Sequence, residues 1–450
     1  MAIPAWQQHS AVPGQEAATL LAVLQQFDQT QWWTPDQLRK AQFRQLGLLL
    51  DHAHATVPFY RERLDKSRYR PGMDIADEWF CALPRISRAE VHALDGALFS
   101  TQVPPEHAPV MQGQTSGSTG TPVTFRSTAL TQLFWQAFNL RDHAWHRRDL
   151  ELKLATIRPD RGVRDDRGVA LPNWAPAIAE IFRNGPSGLL HSGNTLDRQL
   201  EWLLEQDPDY LLTLASNLLE LVREMRSRGI RLPRLREART FGDALQAGAR
   251  AECESLLGVK VVDMYSAQET GYLALQCPDH DCYHVQSEGA IVELLNEDGH
   301  ACSAGQMGRV VVTTLHNFAM PLVRYEVGDY AEAGAPCACG RGLPVIRRIL
   351  GRERNLAVTP DGKKFYPSFA AEVWAQIAPI RQIQLVQKSR VLIEVRMAMA
   401  RDLQGDEARE LISALRRSLG YPYEFAFVRM DSIPRSASGK YEDFVSEARA

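Results

Sequence analysis

Apolar positions along the chain change period several times, and each change marks a new kind of element. From Leu38 to His54 they recur at helical spacing behind Thr34-Pro35-Asp36, whose hydroxyl, proline and acid are in the order that starts a helix. About the first hundred residues read as helical in this way. Val110 to Phe125 breaks the pattern with a short apolar approach, a Gly/Ser/Thr-rich loop and the strand-like Pro-Val-Thr-Phe. From Leu150 to Val262, strand-like runs such as Tyr210-Leu211-Leu212 and Lys260-Val261-Val262 alternate with helical stretches such as Ser216 to Arg228. That alternation argues for an α/β sheet with helices packed on it. Residues 285 to 330 turn β-rich: Ala290 to Leu294 and Arg309 to Thr313 read as strands around the turn Asn296-Glu297-Asp298-Gly299.

Beyond Gly351-Arg352 the character changes again, with strands at Ile383 to Val386, Val391 to Arg396 and Phe425 to Arg429 and a helix from Gly405 to Leu419. The expected architecture is therefore a large α/β domain over residues 1–350, made of β-sheets flanked by helices plus a β-rich subdomain. A hinge at 351–354 and a small α+β domain over 355–450 follow.

Composition narrows the function classes. A net charge of −3 supplies no global field for nucleic acid or an anionic membrane, so an anion must be held by a local site. No apolar run approaches membrane-spanning length, and the opening residues lack a secretion leader's basic and apolar regions. Seven cysteines, four of them in two local clusters, point to a reduced compartment and a metal rather than disulfides, so the cytoplasm is expected.

The loudest chemical signal is Gln114-Thr115-Ser116-Gly117-Ser118-Thr119-Gly120-Thr121-Pro122. Glycines let backbone approach an anion, and hydroxyls with free N–H groups donate to phosphate oxygens. No Gly-Lys-Ser/Thr follows, so it is not a Walker A loop. Further segments stand downstream: Tyr265-Ser266-Ala267-Gln268-Glu269-Thr270-Gly271, Arg324-Tyr325-Glu326-Val327-Gly328-Asp329, Gly351-Arg352, and Pro434-Arg435-Ser436-Ala437-Ser438-Gly439-Lys440. In this order the five resemble the phosphate loop, aromatic–Glu motif, ribose motif, hinge and C-terminal lysine loop of the acyl-adenylate-forming superfamily. The segment Thr314 to Tyr325 most resembles the phenylacetate–CoA ligase branch, with its coenzyme F390 synthetase-like and capsule-biosynthesis-type members.

The resemblance implies activation of a small carboxylic acid by ATP to acyl-AMP, then transfer to the thiol of CoA. A carrier-protein thiol, an amine or a cofactor hydroxyl is the alternative acceptor, and a nucleotide-binding protein without turnover is the alternative class. By the same resemblance, Thr115, Ser116, Ser118 and Thr119 hold the β- and γ-phosphates, Gly117 and Gly120 belong to the same nucleotide-binding loop, and Glu269 holds Mg2+. Asp329 accepts from the ribose hydroxyls, Arg352 approaches the ribose, and Gly242, Asp243, Ala244, Tyr265 and Ser266 surround the adenine. Lys440 brings a mobile charge to the reacting phosphorus; with Glu269 and Thr115 it forms the catalytic set. Arg354 stands where a hinge aspartate is usual. Acid-pocket candidates are Trp135 and Phe138, which share a helix face, with Ser216, Asn217, Ala267 and Gln268. Small residues at 266 and 267 favour an aryl or arylacetic acid.

Cys277-Pro-Asp-His280-Asp-Cys282-Tyr-His284 and Cys337-Ala-Cys339 carry the soft donors of a closed tetrahedral zinc site. Cys277, His284, Cys337 and Cys339 are the chosen ligands, with His280 and Cys282 as rivals. Cys81, Cys253 and Cys302 read as small apolar residues. Expected partners are the acid, ATP and the acceptor, with no nucleic acid and no membrane, in a monomer or homodimer.

Overall fold

The computed structural model describes residues 13–115, 122–160, 162, 166–245, 247–367, 374, 376–433 and 442–448. The chain opens on two helices, Gln15–Thr30 and Pro35–Thr56. Thr34 caps the second: its hydroxyl accepts from the Gln37 N–H, and the Gln37 side chain accepts from the Thr34 N–H. Such a reciprocal cap stabilises a helix start by about 1 kcal/mol.

Among the described residues, thirteen strands form one continuous sheet. Its first half is parallel and runs Ser187–His191, Leu154–Arg158, Tyr210–Leu214, Glu237–Phe241, Lys260–Ala267. Helices Leu196–Gln206, Ala215–Arg228 and Ala247–Leu257 connect these strands. Leu218, Leu221 and Trp202 bury against Leu211, Ala238 and Val261, which accounts for the near-continuous apolar strands. Helix Ala129–Trp145 and the first helix join a second core around Phe138, Trp145 and Tyr210.

Lys260–Ala267 is the seam of the sheet. It pairs in parallel with Glu237–Phe241 and antiparallel with Gly271–Gln276. The antiparallel half continues through Tyr283–Val285, Val345–Arg352, Tyr325–Ala333, Met307–Thr314 and Ala290–Leu295. A short strand from the helical region, Ile86–Ser87, adds in parallel to Tyr325–Ala333, with Ile86 opposite Tyr325.

Against the parallel half lies a buried cluster of charged side chains. Asp142, fully buried on helix Ala129–Trp145, accepts from Arg148 Nη1 at 2.6 Å and Arg239 Nη2 at 2.7 Å. Arg148 Nε also donates to Glu237 Oε1 at 2.5 Å. The network ties the helix to strand Glu237–Phe241 from below.

Residues from 357 onward build their own core. Ile380–Gln387, Leu392–Met399, Glu424–Met430 and Phe444–Ser446 form a four-stranded sheet, and helix Gly405–Leu419 lays Leu411 and Leu415 on Ile393 and Val395. Among the described residues, no helix is long and apolar enough to cross a membrane.

Candidate active site

A sheet that changes from parallel to antiparallel leaves a crevice outside the carboxyl ends of its parallel strands, where open α/β folds bind ligands. Here that crevice is a cavity of about 970 Å³. Leu214 and Ser216, Phe241 to Ala244, and Tyr265 to Glu269 all reach it from strand ends. Tyr366, Ile383 and Phe444 wall it from the C-terminal part.

Strand Lys260–Ala267 ends in a turn that carries Glu269, whose side chain is 4% exposed. Glu269 Oε1 accepts from Arg88 Nη1 at 2.7 Å and from the Tyr325 hydroxyl at 3.1 Å; Oε2 has no hydrogen bond among the described residues. Arg88 is brought here by the pairing of Ile86 with Tyr325 and by Ser87, which caps the following helix. Its other terminal nitrogen, Nη2, donates to Thr115 Oγ1 at 2.8 Å. The Val123 N–H also donates to that oxygen at 2.9 Å, so the Thr115 hydroxyl accepts twice and keeps its own proton to donate.

Asp329 forms the second polar centre. Its Oδ2 accepts from the Tyr265 hydroxyl at 2.7 Å, and its Oδ1 pairs with Arg352 Nε at 3.0 Å. Burial, reinforced by the Asp329 charge, raises Tyr265 well above the usual phenol range, so it stays a donor. Asp329 likewise raises Arg352. Gly328 turns the backbone at φ +85°, and a Cβ there would stand 3.1 Å from Arg352 Nη1.

The structure brings Thr115, Trp135, Ser216, Gly242, Asp243, Ala244, Tyr265, Ser266, Ala267, Gln268, Glu269, Asp329 and Arg352 to one cavity. Two expectations, Asn217 and Phe138, need correction. Asn217 is fully buried, and its amide donates to Gln199 Oε1 and Thr213 Oγ1, so it belongs to the core beneath the cavity. Phe138 stacks on Phe27 and reaches only a smaller adjoining pocket, which it shares with Trp135 and Gln268. The Asp243 carboxylate accepts from the Ala215 and Ser216 N–H groups, which fixes the start of helix Ala215–Arg228. Ser116, Gly117, Ser118, Thr119, Gly120 and Lys440 lie outside the described residues. Sequence reasoning missed Arg88 and the Tyr325 hydroxyl altogether.

In the segment expected to be a hinge, Arg354 pairs with Glu442 at 2.9 Å, and the Asn355 side chain donates to the Phe444 carbonyl. The unusual arginine thus has a carboxylate partner on the segment that follows the lysine motif.

Outside the cavity lining, the donor atoms of Cys277, His284, Cys337 and Cys339 all lie within 4.8 Å of one another. Cys277 Sγ is 3.9 Å from Cys337 Sγ, and Cys339 Sγ is 3.3 Å from His284 Nε2. Tetrahedral zinc, with Zn–S near 2.3 Å, sets sulfurs about 3.8 Å apart, so this set fits the ion. The Cys282 thiol beside it holds Cys277 well below the usual thiol range, and Cys282 also approaches Cys337 at 3.7 Å. His280 is exposed. Arg341, two residues after Cys339, donates to the Gln31 side chain, and the Gly342 N–H donates to the Gln31 carbonyl. Of the other cysteines, Cys253 is buried and Cys302 half-buried, whereas Cys81 is exposed, contrary to its expected apolar role.

Comparison with known proteins follows the same outline. The CapK C-terminal domain family matches residues 357–447. A phenylacetate-coenzyme A ligase of Escherichia coli K12 is 22% identical over 89% of this chain and 93% of its own. One of Thermus thermophilus is 24% identical over 90% and 95%. Among solved structures, a 2-hydroxyisobutyryl-CoA ligase in its postadenylation state superposes with TM-score 0.72, at 18% identity, over 92% of this chain and 91% of that one. The same relative in its thioesterification state superposes with TM-score 0.59, at 19% identity, over 93% and 91%.

Proposed function

We propose, from the premise that this chain belongs to the acyl-adenylate-forming superfamily, that it activates a small carboxylic acid with ATP. The acyl-AMP so formed is then passed to the thiol of CoA. The observation that carries this reading is the meeting of Thr115, Glu269, Asp329 and Arg352 at one cavity. Each supplies what adenylation requires at a different part of one nucleotide.

Negative charge builds on oxygens around the α-phosphorus as pyrophosphate leaves. Thr115 donates its free proton to a phosphate oxygen at the start of the Gly/Ser loop. Asp329 and the protonated Tyr265 hold the sugar and base side. Lys440 brings its ammonium to the reacting phosphorus. Glu269, with Oε2 free among the described residues, is the residue that would hold Mg2+, which supplies charge neutralisation on the phosphates. Trp135, Ala267 and Gln268 border the acid, an aryl or arylacetic acid being the favoured class. Relatives that are CoA ligases support CoA as acceptor. A cytoplasmic location suits the reduced thiols.

The test is exchange of labelled pyrophosphate into ATP across aryl, arylacetic, amino and short fatty acids. At least one acid should drive Mg-dependent exchange, and added CoA should then yield a thioester. No exchange with any acid would end the reading; exchange without CoA transfer, but with loading of a holo-carrier protein, would change the acceptor only.

The second metal is structural. Four protein ligands leave no open position, so the ion would tie the cysteine segments together rather than react. Purified protein is expected to carry a stoichiometric equivalent of zinc by elemental analysis, lost in Cys337→Ser. A zinc-free wild-type protein would contradict this.

A further inference from the structure

We propose that Arg88 is an exchangeable counter-cation of this site. It holds Glu269 and Thr115 in place before nucleotide binds, and it passes to the β- and γ-phosphates of ATP as Glu269 becomes a metal ligand. The proposal rests on the adenylation reading above and adds a phosphate-binding residue to it.

A carboxylate as buried as Glu269 is costly to keep ionised without a cation at hand. Among the described residues, Arg88 is the cation at ion-pair distance, 2.7 Å away. A metal ion arriving with ATP brings two positive charges to the same carboxylate, and like charges in a partly desolvated site repel. The guanidinium must then move, and the nearest new acceptors are the phosphates themselves. The local geometry suits that transfer. One arm of the arginine fork already rests on Thr115, the residue that opens the phosphate-loop motif. Its Nε is buried with no partner among the described residues, so the fork has donor capacity left over. Arginine's planar fork matches phosphate oxygens bidentately.

The position of Arg88 in its own helix points the same way. It is the first residue of helix Arg88–Ala93, where the backbone already presents partial positive charge. A cation there is locally unfavourable, and its ion pair with Glu269 offsets that cost.

The experiment compares binding of Mg-ATP and of AMP by calorimetry in wild type, Arg88→Gln and Arg88→Lys. AMP has no β- or γ-phosphate. Loss of charge-assisted hydrogen bonds to phosphate weakens binding by about ten- to hundredfold. Arg88→Gln is therefore expected to lose that much affinity for Mg-ATP while AMP affinity changes by less than about threefold, with Arg88→Lys in between. Equal losses for ATP and AMP would mean that Arg88 only props up the site and would overturn the proposal. So would unchanged ATP affinity. Wild-type protein that binds neither nucleotide would instead remove the adenylation reading on which the proposal stands.

Discussion

Replacing Lys440 by alanine is expected to lower acid-dependent pyrophosphate exchange by about 10²- to 10⁴-fold while changing the Kd for ATP by less than about threefold. The asymmetry follows from when the charge is needed. On the proposed reading, ground-state ATP is held by the cavity around Thr115 and Asp329, whereas charge concentrates around the α-phosphorus only as pyrophosphate departs. An interaction made chiefly at that moment raises the rate without tightening substrate binding. Exchange rates and calorimetry on the same variant make the check. Equal losses of binding and rate would assign Lys440 to holding the nucleotide, and unchanged exchange would remove it from the chemistry.

Asp142→Ala should destabilise the large domain by about 3–5 kcal/mol, because it leaves Arg148 and Arg239 buried together without their shared carboxylate. The denaturation midpoint of the large domain, followed by tryptophan fluorescence, measures this. A midpoint within experimental error of wild type would contradict the account. The same network sets a pH limit. Burial, despite the opposing pull of Asp142, lowers His146 from its usual value to about 3, so it stays neutral in the folded protein. Between about pH 6.5 and 3 the unfolded chain binds a proton at this position that the folded chain does not. Stability must therefore fall as pH drops through that window. The Asp142 carboxyl, held below its ordinary range against the cost of burial by Arg148 and then Arg239, adds to the loss at still lower pH.

Much of the cavity was legible because its signals are local. Glu269, Asp329 and Tyr265 each sit in a short motif whose spacing depends on one strand and its turn, and the four candidate zinc ligands lie in two tight sequence clusters. The failures were long-range or one residue off. Ser216 and Asn217 are neighbours on helix Ala215–Arg228, where successive side chains point about 100° apart. Ser216 reaches the cavity and Asn217 turns into the core. Phe138 does share a helix face with Trp135, but the first helix comes back to stack Phe27 on it. Arg88 belongs to none of the motifs, and two of its three partners, Glu269 and Tyr325, stand 181 and 237 positions away. One local clue existed: arginine at the first position of a helix opposes the helix dipole, and such a conflict between local preference and choice of residue often marks a functional position.

The strand Ile86–Ser87 lies beside Tyr325 in the finished sheet, and this has a consequence for synthesis of the protein. As the chain leaves the ribosome, the arginine that neutralises Glu269 is made early and the strand that steers it arrives late. Until that strand emerges, neither the pairing of Ile86 nor the Tyr325 hydroxyl is there to set Arg88 against Glu269. Nascent or truncated chains that stop before it lack that arrangement, whatever helices they have already formed.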